Sequence, residues 1–155
     1  MVIRLAEEKD IPGLLALLQQ VGEVHHQIRP DIFRTGAQKY DDTSLKELLT
    51  QPDKPIFVAA EDNAVLGYCF CVHKACENHP VFCDRSELYI DDLCVDEGKR
   101  GTGIAAALYQ HVQSYAKETG CNVVTLNVWC GNERALHFYE KMGMKPRNIT
   151  MEHPL

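Results

Sequence analysis

No run of about 18 consecutive apolar residues occurs in this chain, which excludes a transmembrane helix. The opening residues, MVIRLAEEKD, lack the apolar core of a secretory leader, so the expected address is cytoplasmic. Positive charge is also scarce. Lys and Arg total 16 against 22 Asp and Glu, a net charge of −6. A general nucleic-acid binder needs a basic face, so no nucleic-acid partner is expected, and no membrane partner either. Repeats, low-complexity tracts and linkers are absent, so residues 1–155 are expected to form a single domain. At 45% hydrophobic and 25% charged, the composition is that of an ordinary soluble globular protein.

Cysteine is what the chain has in excess: seven, an odd number. Nothing in the sequence points to secretion, so reduced thiols are expected. The run CFCVHKACENHPVFC gathers Cys69, Cys71, His73, Cys76, His79 and Cys83. Zinc sites use paired C-x2-C or H-x3-H spacings, whereas the first pair here is C-x-C inside a strand-like stretch. Alternation puts Gly67, Cys69, Cys71 and His73 on one face, with Tyr68, Phe70 and Val72 on the other. Structural thiols, and no metal, are the expectation.

Val2–Leu5 reads as a first strand. Asp10 then caps a helix with Pro12 in its first turn and Leu14, Leu15, Leu17, Leu18 and Val21 on its apolar face. Gly22 is expected to end it, leaving EVHHQIRPDIFRTG irregular. A short helix follows at TSLKELLTQ, capped by Thr43 or Ser44. PIFVAAEDNAVLGYCFCV reads as a hairpin turning at Asp62 and Asn63, and SELYIDDLCV as the next strand. A helix with Ile104, Leu108, Val112 and Tyr115 on one face runs to about Thr119 and Gly120. NVVTLNVW is a strand. Glu133–Met142 is a helix between Asn132 and Gly143, and the tail MKPRNITMEHPL is expected to add a last strand. The strand–helix–strand unit from Glu87 to Trp129 is a crossover, so its two strands should be parallel beside an antiparallel hairpin. The fold class is therefore α/β, an α+β arrangement with a mixed sheet.

VDEGKRGTGIAAAL lies where a strand ends and a helix begins, the usual seat of a phosphate. A P-loop would need Gly-Lys followed by Ser or Thr, and Gly103 is followed by Ile104. Gly101, Gly103 and Ala106 satisfy the dinucleotide fingerprint literally. However, Asp96 to Arg100 separate strand from glycine, and no acid closes the next strand before Glu133. What remains is a diphosphate held by backbone N–H groups, with Lys99 and Arg100 at the rim.

The residues Gly101 and Gly103, taken together with Asn132, Ala135, Phe138, Tyr139, Gly143 and Met144, resemble the two signatures of the Gcn5-related N-acetyltransferase (GNAT) family. One departure stands out: Gly98 occupies the place of the family's Gln or Arg. The resemblance covers nearly the whole chain. It implies the GNAT-like acyl-CoA N-acyltransferase fold, a central mixed sheet flanked by about four helices. It also implies acetyl-CoA as co-substrate, with no metal. Pantetheine would lie against the backbone of Leu93, Cys94 and Val95. The pyrophosphate would sit on Arg100, Gly101, Thr102, Gly103, Ile104 and Ala105. Asn132 would touch the cofactor or cap its helix, and Tyr139 would act as general acid toward the leaving sulfur.

Two mid-strand carboxylates, Asp91 and Asp92, are unusual in a strand. Alternation puts Glu87, Asp91, Leu93 and Val95 on one face and Asp92 on the other. Polyamine acetyltransferases of the family carry such a pair, which makes Asp91 the expected base. His25, His26, Arg29 and Glu87 are candidates for the acceptor side. Cys94 has no adjacent histidine, so direct transfer is expected rather than a covalent relay. The expected reaction moves acetyl from acetyl-CoA to a primary amine of a small molecule. A peptide or protein N-acetyltransferase is the alternative, and a non-catalytic CoA-binding sensor is the alternative from another class. The resemblance further implies a homodimer.

Overall fold

Apolar alternation in the strands and 3.6-residue periodicity in the helices give each element one face to bury. The computed structural model describes all 155 residues. Strands β1 (Val2–Leu5), β2 (Ile56–Glu61), β3 (Ala64–Cys76), β4 (Arg85–Val95) and β5 (Val123–Leu126) form one sheet in sequence order. The first four are antiparallel neighbours, while β4 and β5 run parallel. Helices α1 (Ile11–Ile28) and α2 (Asp42–Leu49) follow β1, α3 (Ile104–Glu118) is the crossover, and α4 (Glu133–Lys141) follows β5. The mixed sheet with four helices is as the sequence indicates. No helix is long and apolar enough to cross a membrane.

Two cores sandwich the sheet. Leu14, Leu17 and Leu18 of α1, with Leu45 and Leu48 of α2, pack on Ile56, Val58, Tyr68, Phe70 and Cys94. Leu108, Tyr109 and Val112 of α3 pack on Phe57, Cys69, Cys71, Leu88 and Ile90 on the opposite face. Each fully buried Leu contributes about 1.5–3 kcal/mol. Cys69 and Cys71 thus face away from Tyr68 and Phe70, as alternation requires.

Four expectations are corrected. Helix α1 does not stop at Gly22 but continues to Ile28, taking in His25 and His26. Gly22 serves close packing instead, since a Cβ there would lie 3.3 Å from the Ala37 carbonyl oxygen. Helix α2 is capped by Asp41, whose carboxylate accepts from the Ser44 N–H while the Ser44 hydroxyl accepts from the Asp41 N–H, both at 2.8 Å. The tail after Gly143 forms no strand. It is tied down by Arg147 to Glu87 at 3.3 Å and by Glu152 to Arg29 at 2.7 Å.

The fourth correction concerns the site. The β3–β4 register shifts between Phe70 and Cys71: Phe70 pairs with Asp92, and Cys71 pairs with Ile90. Asp91 is therefore the extra residue of a β-bulge. Ile90 and Leu93 both pack toward α3, so Asp91 and Asp92 turn together toward α1 and α2. The bulge cancels the alternation that separates them in an ideal strand.

Candidate active site

β5 pairs with β4 only from Glu87 to Ile90. Beyond that point β4 continues alone to Val95 while the chain after Leu126 turns away. The Asp96 N–H donates to the Leu66 carbonyl of β3 at 2.9 Å. By strand alternation the amides of Leu93 and Val95 face the gap instead, as an unfilled ladder. Above the gap opens a cavity of about 1010 Å³, large for a small-molecule site.

The β4–α3 turn closes one end of this cavity. Asp96 holds the turn to α1, accepting from Gln20 at 3.0 Å and from the Gly98 N–H at 2.9 Å. Gln20 in turn accepts from the Glu97 N–H at 3.1 Å. Gly101 and Gly103 have φ of +77° and +88°, a conformation that suits glycine, and the space where their Cβ atoms would project is open. Gly103 precedes α3 with no side-chain cap. The N–H groups from Gly101 to Ala106 therefore find no acceptor in the chain. Uncapped N–H groups at a helix start, with Lys99, Arg100, Arg134 and Lys141 also lining the cavity, fit a diphosphate. These residues fit acetyl-CoA: an open strand edge for its amide-bearing arm, and an anion-ready turn for its phosphates.

Of the residues singled out in the sequence, Leu93, Cys94, Val95, Arg100, Gly101, Gly103, Ile104, Ala105, Asn132, Tyr139, Asp91, Asp92 and His25 line this one cavity. Thr102 does not, and its hydroxyl donates to the Lys99 carbonyl at 2.6 Å. His26, Arg29 and Glu87 also lie outside it. His26 Nδ1 contacts the Phe33 carbonyl at 2.7 Å. Arg29 is paired with Asp31 and Glu152, and Glu87 with Arg85 and Arg147. Asn132 caps α4, accepting from the Ala135 N–H at 3.2 Å.

The two aspartates differ sharply. Asp92 is half-buried, and this desolvation pushes its carboxyl above the ordinary carboxylate range, while the Tyr68 hydroxyl, donating at 2.7 Å, partly offsets it. Asp91 is more open and bonds the Lys39 ammonium at 2.5 Å. Burial works against that ammonium, but the Asp91 hydrogen bond and charge outweigh it and raise its pKa. Burial, then the nearby Cys69 and Asp92, push the Tyr139 phenol well above its usual value, so it stays protonated at neutral pH. Burial likewise pushes the Cys94 thiol up to about 12, and its sulfur donates to the Leu17 carbonyl, away from any nucleophilic use.

Sequence reasoning missed Lys39, Phe33, Trp129 and Arg134 on the cavity wall, and Tyr68 behind Asp92. Phe33 stacks on His25 at 4.9 Å and meets Trp129 edge-on at 5.1 Å, which builds an aromatic mouth. Only the extension of α1 past Gly22 brings His25 to this place.

A strand that splays from its parallel neighbour over an uncapped helix start, with a half-buried phenol and carboxylate beside it, fits an acyl-CoA ligand. The sequence profile of the Acetyltransferase (GNAT) family matches residues 22–144, and the chain belongs to that family. The tetramutant of the BH1408 protein from Bacillus halodurans has the same structure, with a TM-score of 0.95 at 31% identity over 100% of both chains. An uncharacterized N-acetyltransferase of Mycobacterium tuberculosis is 33% identical over 99 residues, 64% of this chain and 58% of that protein. A thialysine N-epsilon-acetyltransferase of Bos taurus is 25% identical over 152 residues, 92% of this chain and 82% of that protein. The family uses acetyl-CoA.

Proposed function

We propose that the protein transfers the acetyl group of acetyl-CoA directly to a primary amine of a small molecule. The observation that carries this is the meeting of four features in one cavity: the uncapped α3 turn, the open edge of β4, the carboxylates of Asp91 and Asp92, and the protonated phenol of Tyr139. The bovine relative, named for a lysine analogue, supports a small amine as acceptor.

Bound acetyl-CoA supplies an activated thioester; the chain's residues supply placement and protons. The Gly101–Ala106 N–H groups and Arg100 hold the phosphates, and the free amides of Leu93 and Val95 orient the arm. A free amine has a pKa near about 10.4 and arrives protonated. Asp92, lifted by burial toward working pH, takes its proton. Lys39 neutralises Asp91 and leaves Asp92 as the better base. Tyr139 holds a proton at its phenol oxygen for the departing sulfur.

The test is mass-spectrometric detection of acetylated product from acetyl-CoA and a panel of polyamines, aminoglycosides, amino acids and short peptides. Acetylation of a small amine, sharply reduced in Tyr139→Phe, supports the assignment. Product only on peptides moves it to a peptide N-acetyltransferase. No product with acetyl-CoA still bound points to a sensor.

A further inference from the structure

Far from the cleft, three side chains gather on one sulfur and a fourth stands behind one of them. Cys121 follows α3 and is half-buried. Its Sγ lies 3.5 Å from Nδ1 of His73 on β3. His73 Nε2 is 3.3 Å from the Tyr115 hydroxyl on α3. The Ser86 hydroxyl on β4 donates to the same sulfur at 3.7 Å. The Thr119 hydroxyl, 3.8 Å from that sulfur, has its own hydrogen committed to the Tyr115 carbonyl at 2.8 Å.

The contacts admit two tautomers of His73, and one of them arms the thiol. With Nε2–H donating to Tyr115, Nδ1 is the free acceptor and takes the thiol hydrogen. This is a nucleophile, a base within reach and a third group that orients the base, the arrangement of an activated nucleophile. Ser86 adds a donor aimed at charge that builds on sulfur. None of the four lines the acyl cleft. Ser86 stands nine residues before Val95 on β4, roughly 30 Å along the strand.

The other six cysteines lack this combination. Cys69 and Cys71 are buried against each other at 3.7 Å, and burial pushes the Cys69 thiol well up. Cys94 is buried and bonded to α1. Cys83 and Cys130 are exposed, and Cys76 is partly so, but no histidine bonds any of them.

We propose that Cys121, with His73 as its base, Tyr115 as the group that orients that base and Ser86 as a sulfur-directed donor, is a peroxide-reactive thiol site separate from acetyl transfer. The sulfur attacks one peroxide oxygen as His73 Nδ1 takes the thiol proton. An S–O bond forms and the O–O bond breaks. Sulfur is oxidised by two electrons to the sulfenic acid. The peroxide is reduced, and the proton held by His73 passes to its departing oxygen, giving water from hydrogen peroxide or an alcohol from an alkyl peroxide.

The test exposes the full chain to hydrogen peroxide at pH 7, traps sulfenic acid with dimedone and follows each cysteine by peptide mass spectrometry. Cys121 should label at least about tenfold faster than the more exposed Cys83 and Cys130, a modest share of what a positioned base contributes. His73→Gln should bring Cys121 down to their rate while Cys69 and Cys71 stay unlabelled, which certifies the fold. Slower labelling of Cys121 than of Cys83 and Cys130 in the unaltered protein would overturn the site, whatever the variants do. So would a lead that survives in folded His73→Gln. If that variant unfolds and labels Cys69, Ser86→Ala replaces it, with an expected loss of about threefold at Cys121 alone from one missing donor. No change there overturns the assignment. Failure of the acetyl-transfer assay leaves these readouts untouched.

Discussion

Tyr68 on β3 donates its hydroxyl to Asp92 on β4 across 2.7 Å, on the face covered by α1. The contact exists because the bulge at Asp91 turns both aspartates to that face. It gives a half-buried carboxylate one fixed partner and leaves the rest of its acceptor capacity for the cavity.

Asp92→Asn should lower turnover by about two to four orders of magnitude, the range for loss of a general base. It should also flatten the acid limb of the pH–rate profile. In the unaltered protein that limb should lie above the ordinary carboxylate range, because desolvation raises the Asp92 carboxyl. Stability should move the other way. With a folded pKa above the unfolded one, Asp92 favours the fold most when neutral, and this contribution is lost as pH rises through the folded value. The amide keeps the acceptor for Tyr68 without the charge. Thermal melts at pH 7 should therefore show Tm equal to or above that of the unaltered protein. A variant that is both inactive and clearly destabilised would count against the base assignment.

Tyr139→Phe should lower kcat about 100-fold and leave the KM for acetyl-CoA within about twofold, the result expected of a hydroxyl that acts on the leaving group rather than in binding. The rise in the phenol's pKa comes from burial and neighbouring groups, with no hydrogen bond contributing. Its removal strands no partner, so Tm should hold or rise. Steady-state kinetics and a melt check both halves.

Gly103→Ala separates cofactor binding from folding. At φ of +88° an alanine costs about 1–2 kcal/mol, and its Cβ meets nothing within 4 Å. The methyl instead projects into the open space over the turn. Calorimetric titration with CoA should show Kd rising about tenfold or more, while Tm falls by only a few degrees. Unchanged CoA affinity would remove the α3 turn as the phosphate seat.

The sequence made legible whatever repeats locally. The 3.6-residue stripe of α3, the turn at Asp62 and Asn63, and the glycines before Ile104 carry their geometry in their own residues. What stayed hidden depends on partners distant in sequence. No local pattern announces the bulge at Asp91, because it is set by how β4 registers on β3. Gly22 looks like a helix stop because glycine costs about 1 kcal/mol in a helix. The packing of Leu14, Leu17 and Leu18 below it and the close Ala37 backbone outweigh that cost. Lys39 and Tyr68 enter the site only through tertiary contacts with Asp91 and Asp92. The strand expected in the tail does not form, and Arg147 and Glu152 pair with Glu87 and Arg29 instead.

Asp10 supplies a stability test independent of the chemistry. It is 3% exposed and bonds Arg4 through both oxygens, at 2.6 and 3.0 Å, while the Glu7 N–H donates to it at 2.8 Å. Burial alone would raise its carboxyl, but the Arg4 hydrogen bonds, the Glu7 N–H and the Arg4 charge outweigh it and hold it below its ordinary value. Removing one partner of a buried pair strands the other, so Asp10→Ala should cost about 3 kcal/mol. In a chain this size that is a Tm drop of roughly 10 °C. With a folded pKa below the unfolded value of about 3.9, the contribution is complete above that pH and is lost as pH falls through the folded value. The gap in Tm between the unaltered protein and Asp10→Ala should therefore stay constant from pH 8 to pH 5 and narrow below about pH 4. A gap that is small at pH 7, or that does not narrow in acid, would show that the pair does not anchor α1 to β1.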